Sequence, residues 1–159
     1  VYAAEFSPSS DTLSFSDGES ILYLWDTAAA EEITFNISVM DGPTTGISNL
    51  NNITYTSDGE YMATLQSFSA TLRDPATGAV IREFEADGIS EDIAFSPDNT
   101  LIALISSQGT YVFDVATGQL LVSLLENNDW MQGVVWSSDQ TMLATVSGDH
   151  AVRVYTIGG

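Results

Sequence analysis

Short runs of apolar or β-branched residues, each closed by turn-forming residues, follow one another along the chain. The pattern is clearest in residues 89–125, where ISEDIAF, TLIALIS, TYVFDV and QLLVSLL alternate with Ser-Pro-Asp-Asn, Ser-Gln-Gly and Ala-Thr-Gly. Runs of this length between turn residues are typical of short antiparallel strands. The segment therefore predicts four strands, and no long stretch of the chain keeps apolar residues at helical spacing.

The same unit recurs four times in one internal register. An aromatic residue ends the first run of each copy, and these aromatics, 49, 40 and 41 residues apart, are Phe6, Tyr55, Phe95 and Trp136. Seven residues after each aromatic comes a large aliphatic residue: Leu13, Met62, Ile102 and Leu143. A second aliphatic position, in the third run, holds Leu24, Leu72, Val112 and Val154. A period near forty residues indicates a repeated supersecondary unit.

Four-stranded units with this period predict a β-propeller. We expect four strands in each of the first three copies and three strands in the fourth. The predicted fold class is all-β, with propeller blades of four antiparallel strands in four repeats, forming a partial or open propeller. The blades are expected at about 1–44, 45–86, 87–127 and 128–159, as a single domain or as a fragment of one.

The charge balance excludes several classes of partner. The chain has 22 acidic residues against three arginines, with no Lys, and a net charge of −19. Nucleic acids and anionic membrane surfaces require a basic footprint, so neither is an expected partner. No apolar run approaches the roughly 18–20 residues of a membrane-spanning helix, so membrane insertion is not expected either. Solubility through self-repulsion is the simplest interpretation of the acidity, and a salty habitat or a cationic partner are the alternatives.

The absence of Cys removes disulfides, thiolate chemistry and Cys-ligated zinc from consideration. The chain opens VYAAEFSPSS, without Met and without the basic and apolar regions of a signal peptide. We therefore expect its natural beginning to lie upstream.

Four motifs together resemble WD40 repeats: YLWD at 23–26, AFSPDN at 94–99, FDVATG at 113–118 and DWMQGVVWSSD at 129–139. The resemblance covers nearly the whole chain. It implies a WD40 propeller, and members of that family are mostly non-enzymatic platforms that bind other proteins. It also implies a binding face built by the loops that precede the first strand and join the second and third strands of each blade.

The chain departs from the family pattern at its hydrogen-bonding residues. Family blades often carry a Gly-His pair whose His joins a Trp, a Ser or Thr and a turn Asp in a tetrad. Glu85-Ala86 and Glu126-Asn127 stand at Gly-His positions, and only Trp25 keeps the Trp of the third strand. The turn-Asp position holds Glu19, Ser67, Ser107 and Asp149. We therefore identify a degenerate member of the family, of expected bacterial origin, whose blades depend on packing and turns.

The inventory of catalytic groups is thin. His150, the only His, lies in a predicted turn, and we interpret it as a turn residue and not as a general base or metal ligand. Glu31-Glu32 and Glu91-Asp92 are candidate acid–base pairs, but successive strand residues point to opposite faces, so we interpret both as solvated loop charge. Calcium-binding and phosphate-binding loop motifs are missing. We expect no catalytic residue, no metal and no cofactor.

The candidate binding residues are Trp130, Asp129 and Glu91. Trp130 lies in the connection that enters the fourth copy, beside Asp129. A Trp in a loop is typical of a binding anchor. It can also cap the core between two blades, and we consider that interpretation the stronger one.

The sequence thus favours a non-catalytic scaffold for protein–protein interaction. A ligand- or cation-binding propeller and a hydrolase that uses carboxylates on the propeller face are the alternatives. The predicted third strand of copy four, 151–155, has no partner on its outer side, and such an edge favours pairing with another chain. We expect the chain either to belong to a larger propeller with further blades or to associate with a second copy.

Overall fold

The computed structural model describes residues 3–17, 21–38, 50–125 and 130–157, and for 33–38 it describes the backbone alone. This part of the chain contains fifteen β-strands and no helix. The first sheet contains β1 (Ala4–Phe6), β2 (Thr12–Ser16), β3 (Ile21–Asp26) and β4 (Glu31–Ser38). The second contains β5 (Asn52–Tyr55), β6 (Met62–Leu65), β7 (Ser69–Arg73) and β8 (Val80–Glu85). The third contains β9 (Ser90–Phe95), β10 (Leu101–Ser106), β11 (Gly109–Asp114) and β12 (Leu120–Leu124). The fourth contains β13 (Met131–Trp136), β14 (Met142–Ser147) and β15 (Val152–Thr156).

Each sheet is an antiparallel meander in which neighbours in sequence are neighbours in space. Three sheets have four strands and the last has three, so the predicted strand distribution is confirmed. The register is that of the sequence repeat: Phe6 pairs with Leu13 in the first sheet, and Trp136 pairs with Leu143 in the fourth. The prediction of an all-β chain built from propeller blades is therefore confirmed.

The turn that joins the first two strands of each sheet is closed by an Asp side chain. In the third sheet, Ser96 Oγ donates to Asp98 Oδ1 at 2.7 Å, and Thr100 Oγ1 donates to the same oxygen at 2.9 Å. Asn99 has a positive φ of 64°, which this residue type tolerates better than most. Carboxylates that accept hydrogen bonds within the equivalent turns of the other sheets are Asp11, Asp58 and Asp139. The turn sequence thus fixes the register of each hairpin.

The core lies between the sheets. Side chains alternate across each sheet, so every sheet has a leading face, which we define as the face toward the following sheet, and a trailing face toward the preceding one. On the leading faces the residues are Leu22 and Leu24 of the first sheet, Ala63, Leu65 and Leu72 of the second, and Ala103, Ile105 and Val112 of the third. They pack on trailing faces made of Ile53 and Met62, of Ile93, Ile102 and Leu104, and of Val134, Trp136 and Leu143. A fully buried aliphatic side chain of this size contributes about 1.5–3 kcal/mol, so these junctions hold the array together.

The first strands of the sheets, β1, β5, β9 and β13, adjoin one another in that order. In the described residues the first and fourth sheets do not adjoin as consecutive sheets do. The four sheets therefore form an open array of consecutive front-to-back junctions.

Candidate interaction face

One end of the array carries the connections that the family resemblance associates with binding. Each first strand begins at this end, and the turn between the second and third strands returns to it because the strands are antiparallel. We call it the entry end. In the third sheet it contains residues 86–89, ahead of β9, and Ser107-Gln108, between β10 and β11.

Large apolar side chains are exposed at the entry end. The exposed fractions are 59% for Phe68, 44% for Ile89, 67% for Leu125 and 64% for Trp130. Phe68 belongs to the β6–β7 turn, Ile89 precedes β9, Leu125 follows β12 and Trp130 precedes β13. Apolar surface gathered at one end of a fold marks an interaction site more often than scattered residues do.

Hydrogen bonds hold these connections in place. Ser90 N donates to Ser67 O at 2.7 Å, which ties the entrance of the third sheet to a turn of the second. Ile89 is fixed in both directions, since its amide donates to Ser107 Oγ at 3.0 Å and its carbonyl accepts from Ser107 N at 2.9 Å. Gly148 N likewise donates to Trp130 O at 2.7 Å. The backbone is therefore fixed at Ile89 and Trp130, and at Ser67, the residue before Phe68.

Gly88 is required by this arrangement. Its φ is +85°, and a Cβ built on it lies 2.5 Å from Ser107 Oγ and 2.7 Å from Gln108 Cγ. Any side chain at residue 88 would push the β10–β11 turn away from the strand entrance.

Trp130 lies at the surface and does not cap the core, so the stronger of its two sequence interpretations is wrong. Its side chain is largely exposed, and its role in binding stays a prediction. Asp129, predicted as its neighbour in binding, lies outside the described residues.

Glu91 is half-buried in β9 near the entry end. Its Oε1 atom is buried and has no hydrogen-bond partner within the described residues. Burial raises the pKa of this carboxyl group above its ordinary value of 4.5. Glu91 and Trp130 both lie near strand entrances, Glu91 in the third sheet and Trp130 ahead of the fourth.

Asp92 is a structural residue, and its interpretation as solvated loop charge is wrong. Its Oδ1 accepts from Asn52 Nδ2 at 2.5 Å, and its Oδ2 accepts from Val134 N at 3.0 Å. One carboxylate thus joins the first strands of three consecutive sheets. Glu31 and Glu32, by contrast, are exposed, although they lie in β4 and not in a loop.

His150 occupies the turn between β14 and β15, as predicted, with a φ of 64°. Beside it, Asp149 forms an ion pair of 2.5 Å with Arg153, and the Arg153 guanidinium holds the pKa of Asp149 well below its usual range. In the described ranges, no group of three or more His, Asp or Glu side chains is placed to hold a metal ion. Nor does any helix there have the length and apolar character of a membrane span.

A cavity of about 300 Å³ lies along the first strands of the second to fourth sheets. Its lining includes Tyr55, Phe95, Val135, Trp136 and Asn99, and it contains no carboxylate, His or Arg. The cavity therefore offers apolar contact and hydrogen bonds, and no acid–base pair.

Sequence reasoning missed Phe68, Ile89 and Leu125. Phe68 and Ile89 lie just outside predicted strands, in connections at the entry end, and this position was the available signal. Leu125 was predicted as the last residue of a strand, which in the structure ends at Leu124. Sequence reasoning also missed Asp92 as a link between sheets. Asn52 and Asp92 both stand three residues before the repeat aromatic, and this shared register was the signal.

The family model described as "WD domain, G-beta repeat" matches residues 118–156. A subunit of chromatin assembly factor 1 from Gallus gallus is 25% identical over 169 residues, covering 98% of this chain and 23% of that protein. Intraflagellar transport protein 122 homolog of Homo sapiens is 32% identical over 72 residues, covering 45% of this chain and 6% of that protein. The chain thus spans less than a quarter of the length of either relative.

Among solved structures, the crystal structure of the computationally designed Ika4 protein is similar to this chain with a TM-score of 0.81. The match covers 99% of this chain and 91% of that one at 16% identity. At this identity the similarity bears on the fold alone. The expected bacterial origin stays a prediction.

Proposed function

We propose that the chain is a non-catalytic scaffold of the WD40-repeat type that binds a protein partner through its entry end, since residues 118–156 match the WD-domain family model and the chain is similar to WD-repeat relatives. The observation that carries this proposal is the set of exposed apolar side chains at that end, Trp130 and Leu125 above all. The Gallus gallus relative is by its name a subunit of chromatin assembly factor 1, and a subunit of a larger assembly agrees with a scaffold role.

The partner segment that fits this face is basic with an apolar anchor. The chain carries a net charge of −19, and the entry end itself carries Glu85 and Asp87, both exposed. An aromatic or aliphatic side chain of the partner would pack on Trp130 and its apolar neighbours. Flanking Lys or Arg residues would be attracted by the surrounding carboxylates, which mainly accelerates association.

Selection from a displayed random-peptide library, followed by calorimetry, tests the proposal. We expect enriched peptides to combine a large apolar residue with Lys or Arg. Trp130→Ala should weaken their binding by roughly 30-fold, the effect of a hot-spot residue worth about 2 kcal/mol. Val80→Ala, at an exposed apolar residue on the outer strand of the second sheet, is the matched control and should leave binding within about twofold.

Two results would contradict the proposal. Selected peptides that bind Trp130→Ala and Leu125→Ala variants as tightly as the original chain would exclude the entry end as the binding face. Turnover in a hydrolase screen, with or without divalent metal, that is abolished by replacing particular carboxylates would exclude the non-catalytic role.

A further inference from the structure

The leading face of the fourth sheet is exposed where the same face of every other sheet is buried. Leu24, Leu72 and Val112 occupy one repeat position and are all but fully buried against the following sheet. Val154 occupies the same position in β15 and is 61% exposed. Val152, on the same strand and face, is exposed as well, so the fourth sheet presents an uncovered apolar surface.

The trailing face of the first sheet is its counterpart. Leu13 is only half-buried, whereas Met62, Ile102 and Leu143 at its repeat position are fully buried. Phe6, at the position of the repeat aromatic, is 55% exposed. Phe15 and Tyr23 stack on this face with ring centroids 5.0 Å apart, which gives it a flat aromatic surface.

The two uncovered faces have the chemistry of a junction that the molecule already contains. The third sheet offers Ala103, Ile105 and Val112 to the fourth, and the equivalent residues on the uncovered leading face are Ala144, Val146 and Val154. The trailing face of the fourth sheet, which packs against them, carries Trp136, Leu143 and Tyr155. The equivalent residues on the uncovered trailing face of the first sheet are Phe6, Leu13 and Trp25. Small aliphatic residues face large ones in both cases, so the pairing is complementary in size.

Charge also singles out these two faces. The three inner strands of the first sheet place Ala4, Phe6, Leu13, Phe15, Tyr23 and Trp25 on the trailing face. No carboxylate lies within these strands on that face, and Asp17, just beyond β2, accepts a hydrogen bond from the Tyr23 hydroxyl. The strands of the fourth sheet place Val135, Met142, Ala144, Val146, Val152 and Val154 on the leading face, also without a carboxylate. Glu32 of β4 pairs with Trp25 of β3 and lies toward the outer rim. In a chain with a net charge of −19, two copies can approach with least repulsion where their surfaces carry the fewest carboxylates.

We propose that a second copy of this chain covers both faces, with the leading face of each copy on the trailing face of the other. Such an interface is heterologous, and it closes into a ring when the rotation between copies allows it. Two open arrays of four sheets would then form one ring of eight, within the size range of propellers. This surface is separate from the entry end, so the association does not depend on the proposed scaffold function.

Light scattering coupled to gel filtration tests the association at micromolar concentration. We expect a species of twice the 17.0 kDa mass of one chain. Val154→Glu on the leading face and Phe6→Glu on the trailing face should each give a monomer, because either change places a carboxylate in both junctions of the ring. Val80→Glu, at an exposed apolar residue away from both faces, should leave the dimer intact.

Mixing the two monomeric variants distinguishes front-to-back pairing from other geometries. Val154→Glu keeps an intact trailing face and Phe6→Glu keeps an intact leading face, so the mixture should recover a heterodimer through one junction. Circular dichroism and thermal melts verify that the variants fold, and Val152→Glu replaces Val154→Glu if the latter does not.

The proposal is overturned if the original chain remains monomeric at these concentrations, in which case the faces belong to another protein or to further sheets. It is also overturned if one of the two substitutions leaves the dimer intact, or if the mixture stays monomeric, since either result excludes front-to-back pairing.

Discussion

The indole Nε1 of Trp136 donates a hydrogen bond to the backbone carbonyl of Ala94 at a distance of 3.0 Å. Trp136 lies on the trailing face of the fourth sheet and Ala94 in the first strand of the third. The repeat aromatic of the second sheet also reaches backward, since the Tyr55 hydroxyl bonds to Ser14 Oγ of the first. A polar atom at the tip of the repeat aromatic thus helps to fix the first and third junctions between sheets, whereas the repeat aromatic at the second junction, Phe95, has no such atom.

Trp136→Phe should destabilise the chain by about 1–3 kcal/mol. The substitution keeps an aromatic ring but leaves the Ala94 carbonyl without its donor in a largely buried site. Urea denaturation measures the loss. Trp130→Phe is the matched control and should cost about 0.5 kcal/mol or less, because most of the Trp130 side chain is exposed. Equal losses in the two variants would show that the bond to Ala94 contributes nothing specific.

The strand order was predictable because turn residues and repeat aromatics give the same register. In the third copy the predicted strands 101–105 and 110–113 differ by one residue or less at each end from β10 and β11. Which faces are covered was not predictable, because Val154 and Val112 have the same residue type and repeat position. Burial there depends on the presence of a following sheet, and this is not encoded in the local sequence.

The candidate site was less predictable than the fold. Trp130 stood out by residue type, but its exposure depends on how the connection is tied to Gly148. Asp92 was interpreted as solvated because it and Glu91, as successive strand residues, point to opposite faces and share no site. Its bonds to Asn52 and Val134 depend on sheets some forty residues away in sequence on either side. Such long-range contacts leave only a weak signal in a single sequence.

Asp92→Ala should cost about 2–3 kcal/mol, because it removes the acceptor for both Asn52 Nδ2 and Val134 N. Asn52→Ala removes only one of the two bonds and should cost less. Asp92→Asn should lie between the original chain and Asp92→Ala, since an amide oxygen replaces one acceptor. Chemical denaturation of the three variants gives the order, and a loss from Asn52→Ala as large as that from Asp92→Ala would contradict this account.

Glu91→Gln should raise stability at neutral pH. Burial raises the pKa of Glu91, so the folded state disfavours the ionised carboxylate, and this penalty is present above the raised pKa. The penalty disappears as the pH falls below the ordinary value of 4.5, where the group is protonated in both states. Thermal melts should therefore show a higher Tm for Glu91→Gln at pH 7 and little difference at pH 4. Glu85→Gln, on an exposed residue, controls for the change in net charge, and an equal gain from it would refute the burial argument.

Acid should destabilise the hairpin turns. The hydroxyl of Ser137 bonds to Asp139 and that of Thr117 bonds to Asp114, and each bond lowers the pKa of its carboxyl group. The pKa values of Asp11, Asp58, Asp74 and Asp98 are also lowered. Groups with a lowered folded pKa stabilise the fold above the unfolded pKa of about 3.9, and the contribution is lost as the pH falls through the folded values.

The urea concentration at the midpoint of unfolding should accordingly decrease once the pH is below about 4. Asp139→Asn should lower the midpoint at pH 7 and reduce the further loss in acid, because the turn then has one fewer carboxylate to protonate. Glu83→Gln makes the same change in net charge on an exposed outer strand and should retain the acid loss of the original chain. An identical pH profile for Asp139→Asn and the original chain would contradict the assignment.

Added salt should raise the melting temperature. All three cationic side chains are already engaged: Arg73 Nη1 donates to Gly78 O, Arg82 Nη1 donates to Thr117 O, and Arg153 pairs with Asp149. The 22 acidic residues far outnumber the three arginines, so the carboxylates repel one another on balance, and a Debye length of about 8 Å at 0.15 M ionic strength screens most of that repulsion. Sodium and potassium chloride should give the same rise, because screening depends on ionic strength and not on the identity of the cation.

Val154→Glu, monomeric by the proposal above, should show the rise in melting temperature as well, which separates screening within one chain from salt-promoted association. A Tm that stays flat from low ionic strength to about 0.3 M would mean that the carboxylates are too far apart to interact.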